Sequence, residues 1–223
     1  MHRAAVLVLA AGRSTRFSGP GAHKLLAALG AAPVVRWSVQ HALAAAVGDV
    51  VVVTGADAAA VEAAISDLPV RTVRAGDFAD GMSASLRAGV NAVRGAVDGL
   101  IVSLADQPTV QPDAFRRVVA EWIATGAAIV TPRYRESAAP AHPTLFSSSV
   151  FDELLALQGD TGARSIIARA PDRVSVAVMD WPPPRDIDTT DDLERVAAEL
   201  HQRATPDAGH DSRTTPTNST SNR

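Results

Sequence analysis

The sequence contains no cysteine. That absence excludes disulfides, thiolate-held zinc and a cysteine nucleophile together. Lysine is nearly missing as well: of the 21 basic residues, Lys24 is the single lysine. Neither sign of charge dominates, and a formal net charge of −3 supplies no basic field for nucleic acid. No apolar run approaches the ~18 residues that a membrane span requires. The stretch from Ala4 to Ala11 is the nearest imitation of a secretory signal. Gly12 ends it, and Arg13 and Arg16 stand where a small-residue cleavage region belongs. A buried first strand accounts better for Val6-Leu7-Val8-Leu9. The expectation is a soluble, cytoplasmic protein with no nucleic-acid or membrane partner.

What is present suffices for one domain. A chain of 223 residues with 47% hydrophobic content fills a core without staples. Apolar, β-branched runs alternate with alanine-rich helical stretches, which predicts a Rossmann-like α/β fold, a mostly parallel sheet with helices on both faces. Strands are expected at 5–9, 49–53, 70–73, 99–104 and 127–131, and helices at 33–46, 58–65, 82–93 and 112–124. Pro33 and Pro112 suit first-turn positions, where a missing N–H costs nothing.

After Thr131 the rhythm breaks. Residues 132–143 read as a long polar loop, followed by a short extended piece at 144–146, helices at 149–157 and 163–170, and a strand at 174–179. Three prolines at 182–184 make a stiff extended connection into Arg185-Asp186-Ile187-Asp188. The last helix, 191–200, has Thr189 at its start and Asp192 three residues on, a capping-box arrangement. Residues 201–223 are rich in Thr, Ser, Asn, Pro and Asp and are expected to be a disordered tail.

The chemistry concentrates at strand ends. In an open α/β sheet, ligands bind at the carboxyl ends of the strands. The first such end reads Leu9-Ala10-Ala11-Gly12-Arg13-Ser14, with Arg16 following and Lys24 just beyond a Gly-rich stretch. Small residues there let backbone N–H groups approach a polyphosphate, and Arg16 and Lys24 add positive charge. The spacing fits neither a dinucleotide fingerprint nor a Walker A loop. Read alone, it is also compatible with an ordinary glycine turn carrying surface arginines. Asp106 follows the fourth strand, where a carboxylate suits Mg²⁺ beside phosphate oxygens and equally suits a turn or helix cap. Asp186 and Asp188 alternate along an extended segment, so both point to one side. Gly81-Met82-Ser83-Ala84-Ser85 opens a helix whose free N–H groups and hydroxyls can face a nucleotide.

The opening Leu-Ala-Ala-Gly-x-Ser-x-Arg-Phe, then Lys24-Leu25-Leu26, resembles the nucleotidyltransferases related to the molybdenum cofactor enzymes, and within them the molybdenum cofactor cytidylyltransferases. The resemblance continues through Asp80 to Leu86, Leu104-Ala105-Asp106-Gln107-Pro108, His142-Pro143-Thr144-Leu145-Phe146, Gly159-Asp160-Thr161-Gly162-Ala163-Arg164 and Asp186-Ile187-Asp188-Thr189. Ordered matches over residues 5–200 are far more specific than any single block. The resemblance implies the fold of the nucleotide-diphospho-sugar transferases. It also implies one nucleotidyltransferase domain over 1–200, its nucleotide-binding half at about 1–131 and its acceptor-binding half at about 132–200.

It further implies roles. Arg16, Lys24 and Asp106 become catalytic. Leu9, Ala10, Ala11, Gly12, Arg13, Ser14, Lys24, Gly81, Met82, Ser83, Ser85 and Asp106 become nucleotide-binding. Asp106 and Asp188, with Asp186 as a second choice, become the Mg²⁺ ligands. His142, Pro143, Gly159, Asp160, Gly162 and Arg164 fall to a molybdopterin-type acceptor. Three departures stand out: Ala141 replaces the usual Gly before His-Pro, no Asn precedes Gly81, and the 18–23 segment before Lys24 is longer than usual. The implied reaction moves CMP from CTP to a phosphomonoester of the pterin, releasing pyrophosphate. CTP is favoured over GTP because the loop is Ala10-Ala11-Gly12 with Ser14, where guanylyl-transferring relatives carry extra glycines. A molybdenum hydroxylase is the implied downstream partner. The alternatives are an NAD(P)H-dependent oxidoreductase of aromatic catabolism, a non-catalytic cofactor carrier, and a transferase with another phosphomonoester acceptor.

Overall fold

The first strand sets the architecture. Ala4–Ala10 (β1) is apolar at every position, as a strand covered on both faces should be. It runs parallel between Asp49–Thr54 (β4) and Gly99–Leu104 (β6), with Leu7 opposite Val51 and Val102. Arg71–Arg74 (β5) extends the parallel sheet beyond β4. On the other side, Thr144–Ser147 (β8) enters antiparallel between β6 and Ile129–Tyr134 (β7), and Val174–Met179 (β9) forms the edge, parallel to β7. The order of this seven-stranded sheet is β5-β4-β1-β6-β8-β7-β9. Ala28–Leu29 (β2) and Ala32–Pro33 (β3) make a separate antiparallel ribbon. The computed structural model describes residues 2–14, 16–17, 23–78, 81–137 and 141–204.

Alternation along β1 splits the core in two. Val6, Val8 and Ala10 face the side covered by Val34–Ala45 (α1), Ala58–Ala63 (α2), Pro112–Thr125 (α4) and Thr190–Ala204 (α7). Ala5 and Leu7 face Met82–Val93 (α3), Phe151–Leu155 (α5) and Arg164–Arg169 (α6). Gly89 is what lets α3 lie so close to β1, because a Cβ there would run into the Leu7 side chain. Helices therefore flank both faces, and strands from both halves of the chain share one sheet. Among the described residues no helix is long and apolar enough to cross a membrane.

Several boundaries differ from the sequence expectation, each for a local reason. Pro132-Arg133-Tyr134 belongs to β7 rather than to a polar loop, since it pairs with Ala177-Val178-Met179 of the edge strand and buries Tyr134 to 3% exposure. Proline is tolerated there because β8 pairs with β7 only at Ile129 and Val130, so Pro132 lies past the end of that ladder. Pro33 is the N-cap of α1, in extended backbone, rather than its first turn. Pro112 does occupy the first turn of α4. The last helix continues through His201 to Ala204, past the expected start of the tail, because nothing in that stretch breaks a helix. The rest of that expected tail, 205–223, lies outside the described residues.

Candidate active site

Two strand ends meet at the site. β1 ends at Ala10, and the carbonyl of Leu9 accepts from Ala105 N at 3.0 Å, which ties the Gly-rich turn to the loop after β6. Ala10 and Ala11 are buried, while Gly12 and Arg13 are exposed and Ser14 sits at φ 53°. Arg13 lies over the Phe78 ring, its guanidinium carbon 5.7 Å from the centroid. The chain returns at His23, whose Nδ1 accepts from Leu25 N at 3.3 Å and caps the short 3₁₀ turn Lys24–Leu26. Lys24 N donates to Ser14 Oγ at 3.3 Å, so the lysine is fastened to the turn it follows. Of the longer segment at 18–23 that precedes it, residues 18–22 lie outside the described residues.

The third strand of chain comes from far away. Ile187 is fully buried, and its N–H donates to the Asp106 carbonyl at 3.0 Å. Arg185 N donates to Thr109 Oγ1, also at 3.0 Å. The extended stretch that follows the three prolines is thereby laid against the 106–109 loop, and the two aspartates flanking Ile187 both point toward the cleft.

At the centre, Lys24 Nζ donates to Asp106 Oδ2 at 2.6 Å and to Asp188 Oδ1 at 2.8 Å. Arg16 reaches the other Asp188 oxygen at 3.0 Å from a side chain that is 74% exposed. Lys24 is the most enclosed of the four, at 12% side-chain exposure. Burial works against its charge, but Asp106 and Asp188 outweigh that cost and raise its pKa, so it remains an ammonium. Asp186 stands apart from the pair: it is exposed, and Gln107 Nε2 donates to its Oδ1 at 2.6 Å. Among the described residues no three His, Cys, Asp or Glu side chains are grouped to hold a metal. Mg²⁺ needs only one or two carboxylates when phosphates complete its shell. Asp106 Oδ1 is buried and without a hydrogen-bond partner, the kind of orphaned oxygen that a cation satisfies. The Asp106–Asp188 pair therefore fits a divalent ion, with Asp186 outside it.

The predicted blocks at 81–85 and 159–164 are brought together. Gly81 has φ 98°, and a Cβ on it would stand 2.6 Å from the Gly159 carbonyl oxygen. Ser83 N donates to that same oxygen at 3.2 Å. Met82 is half exposed and packs against Gly162. Ser83 and Ser85 are buried, and Ser83 Oγ accepts from Arg87, so the Ser83 hydroxyl is turned into the protein. Asp160 and Arg164 are exposed on the second loop.

His142 and Pro143 sit where β8 begins, joined by a cis peptide bond. His142 Nδ1 donates to the Val102 carbonyl at 3.2 Å, and its own carbonyl accepts from Tyr134 Oη at 2.6 Å. Burial holds the ring below the ordinary histidine pKa, with the Val102 bond opposing in part. The Val102 bond fixes the ring, and burial favours its neutral form.

Sequence reasoning passed over His23, Gln107 and Arg87. Arg87 Nη1 links Ser83 Oγ at 3.0 Å to the Leu157 carbonyl at 2.6 Å and so holds the second loop against α3. The helical spacing of Ser83 and Arg87 was a usable sign of the first contact. Nothing local announced Gln107, whose partner lies 79 residues away.

The family model described as "MobA-like NTP transferase domain" matches residues 6–174. No curated protein matches. Rv0371c of Mycobacterium tuberculosis H37Rv superposes with a TM-score of 0.78 at 31% identity, covering 88% of this chain and 98% of its own. A second structure of that protein, in complex with manganese, gives a TM-score of 0.74 at 30% identity, covering 88% of this chain and 98% of its own. A nucleotidyl transferase from Methanothermobacter thermautotroptrophicus, Mth528, gives 0.76 at 25% identity, covering 90% of this chain and 99% of that one.

Proposed function

The chain belongs to the family of MobA-like NTP transferase domains and is of nucleotidyltransferase type; from that premise we propose that it transfers CMP from CTP to a molybdopterin-type phosphomonoester, with a divalent ion, Mg²⁺ or Mn²⁺, at Asp106 and Asp188. The observation that carries this reading is the convergence of Lys24, Asp106 and Asp188 from three distant segments at the carboxyl edge of the sheet.

In the proposed reaction an oxygen of the acceptor phosphate attacks the α-phosphorus of CTP. The new P–O bond forms as the bond to the bridging oxygen breaks, and pyrophosphate leaves with the electron pair. A bound divalent ion would supply charge neutralisation along the triphosphate. The N–H groups of the 10–14 turn bind the phosphate chain, and Lys24 and Arg16 follow the negative charge as it gathers on the leaving pyrophosphate. No side chain need act as general base, because a phosphomonoester is already largely ionised near neutral pH. The second loop, with Gly159, Asp160, Gly162 and Arg164, holds the acceptor near α3, beside His142 and Pro143. CTP rather than GTP is supported by resemblance in the first turn. The chain acts in the cytoplasm, upstream of a molybdenum hydroxylase that receives the product.

Pyrophosphate release with each of the four NTPs, a divalent metal and molybdenum-loaded molybdopterin tests this directly. Release with CTP alone, lost in Asp106→Asn, is expected. Folded protein that is silent with every nucleotide would overturn the transferase assignment, and saturable NADH binding by the same protein would replace it with the redox alternative.

A further inference from the structure

The charges at the centre of the site nearly cancel. Asp106 and Asp188 are met by Lys24 and Arg16, at distances of 2.6, 2.8 and 3.0 Å. Asp186 stands beside them, and Gln107 holds it to one side of the pair. A bare divalent ion approaching these carboxylates finds their charge already spent on an ammonium bridge. To bind, it must either displace Lys24 or sit beside it against like-charge repulsion. Displacing Lys24 alone is unfavourable, since the ammonium is largely enclosed and would be left without an anion.

An ion arriving already bound to a triphosphate changes both terms. The phosphates offer Lys24 and Arg16 new anions within the same cleft as the aspartates are taken over by the ion. The lysine is placed for such an exchange because its backbone is pinned: Lys24 N is held by Ser14 Oγ at 3.3 Å, at the end of the phosphate-binding turn. Only the side chain has to swing.

We infer that Lys24 acts as an internal counter-cation, so that the site holds free divalent metal weakly and takes it up preferentially as the metal–triphosphate complex. This rests on the function proposed above and adds the form in which its substrate enters. The lysine thereby takes two roles in sequence, first as guard of the carboxylates and then as ligand of the phosphates. Mutating it has opposite effects on the two kinds of binding, which a merely structural lysine cannot produce.

The test is Mn²⁺ binding to the full chain, followed by loss of the free-ion resonance signal, with and without CTP. Lys24→Met and Lys24→Arg are compared with wild type after circular dichroism has established that each is folded. Without nucleotide, Lys24→Met is expected to bind Mn²⁺ about tenfold more tightly than wild type, the scale of one charge-assisted hydrogen bond. With CTP the order inverts, and wild type binds the complex more tightly. Lys24→Arg, which keeps the charge, behaves as wild type toward the bare ion. Wild type binding free Mn²⁺ as tightly as Lys24→Met would overturn the inference while leaving the metal site intact. Absence of Mn²⁺ binding in every protein, even with CTP, would instead remove the nucleotidyltransferase metal site on which the inference stands.

Discussion

Lys24 and Asp106 are 82 residues apart in the chain and meet at 2.6 Å through Nζ and Oδ2. The meeting follows from the order of the sheet. β1 and β6 are parallel neighbours, so the turn after one and the loop after the other emerge side by side. Ser38 Oγ, on α1, steadies the second of these by donating to the Ala105 carbonyl at 2.8 Å.

The two downstream aspartates differ in what they touch, and their substitutions should differ accordingly. Asp188→Asn removes a carboxylate from the Lys24 bridge and is expected to lower pyrophosphate release by about a hundredfold, the scale of losing one strong electrostatic contact in a reacting site. Asp186→Asn keeps a group able to meet Gln107 and should cost only a few-fold. Steady-state rates for the two variants decide the assignment. Equal losses would place both carboxylates on the metal.

Gly81→Ala should destabilise the protein. The residue sits at φ 98°, and the added Cβ would lie 2.5 Å from Asp160 Oδ1 and 2.6 Å from Gly159 O. Strain of this kind costs on the order of 1–3 kcal/mol. Thermal unfolding should report a lower Tm. Limited proteolysis should report earlier cutting near residue 159, since the loop must move to admit the methyl group.

Glu62 carries an acid-sensitive contact. Hydrogen bonding to the Arg74 guanidinium, with help from Thr54, holds its pKa down at about 2. The charged form is thus favoured by folding, and its stabilisation is fully present above the ordinary glutamate value of about 4.3. It fades as pH falls from there toward 2. Urea midpoints of wild type should exceed those of Glu62→Gln at pH 7, and the gap should be clearly narrower at pH 3.

His142 shifts in the same direction, but its effect falls in a higher pH range. Burial lowers its pKa, so the folded protein favours the neutral ring and unfolding releases a ring that takes up a proton more readily. Stability should hold above about pH 6.5, the ordinary histidine value, and decline as pH falls below it. His142→Gln, which can still donate to the Val102 carbonyl, should flatten the decline between pH 7 and pH 5. Denaturant titrations at the two pH values measure it.

The parallel half of the sheet was legible because its strands are buried on both faces and so read as continuous apolar runs, Val50 to Val53 being the plainest. Helix α3 matched its expected bounds because Gly81 and the Arg94 turn punctuate it. The second half was harder. The stretch 144–146 was recognised as extended, but its place between β6 and β7 depends on cross-strand packing of Leu145 and Phe146 that no local pattern encodes. Among the candidate residues, Lys24, Asp106 and Asp188 were named from their blocks, yet their direct contact was not foreseen. Lys24 was expected on phosphates and the aspartates on metal. Which partner each prefers in the protein alone is a matter of electrostatic balance, visible only once all four charges have positions.

The antiparallel strand β8 has one further consequence. Because it runs against β6, with Thr144 opposite Val102, its beginning rather than its end lies at the ligand-binding edge. His142 and Pro143 thus border the site from a strand whose far end leads away into α5. In the proposed reading, the walls that meet the acceptor belong to this reversed strand and its loops, while the phosphate-handling residues belong to the parallel strands. The two can diversify separately. A lineage can trade one phosphorylated acceptor for another by remodelling the loop before β8 and leave the transfer machinery untouched.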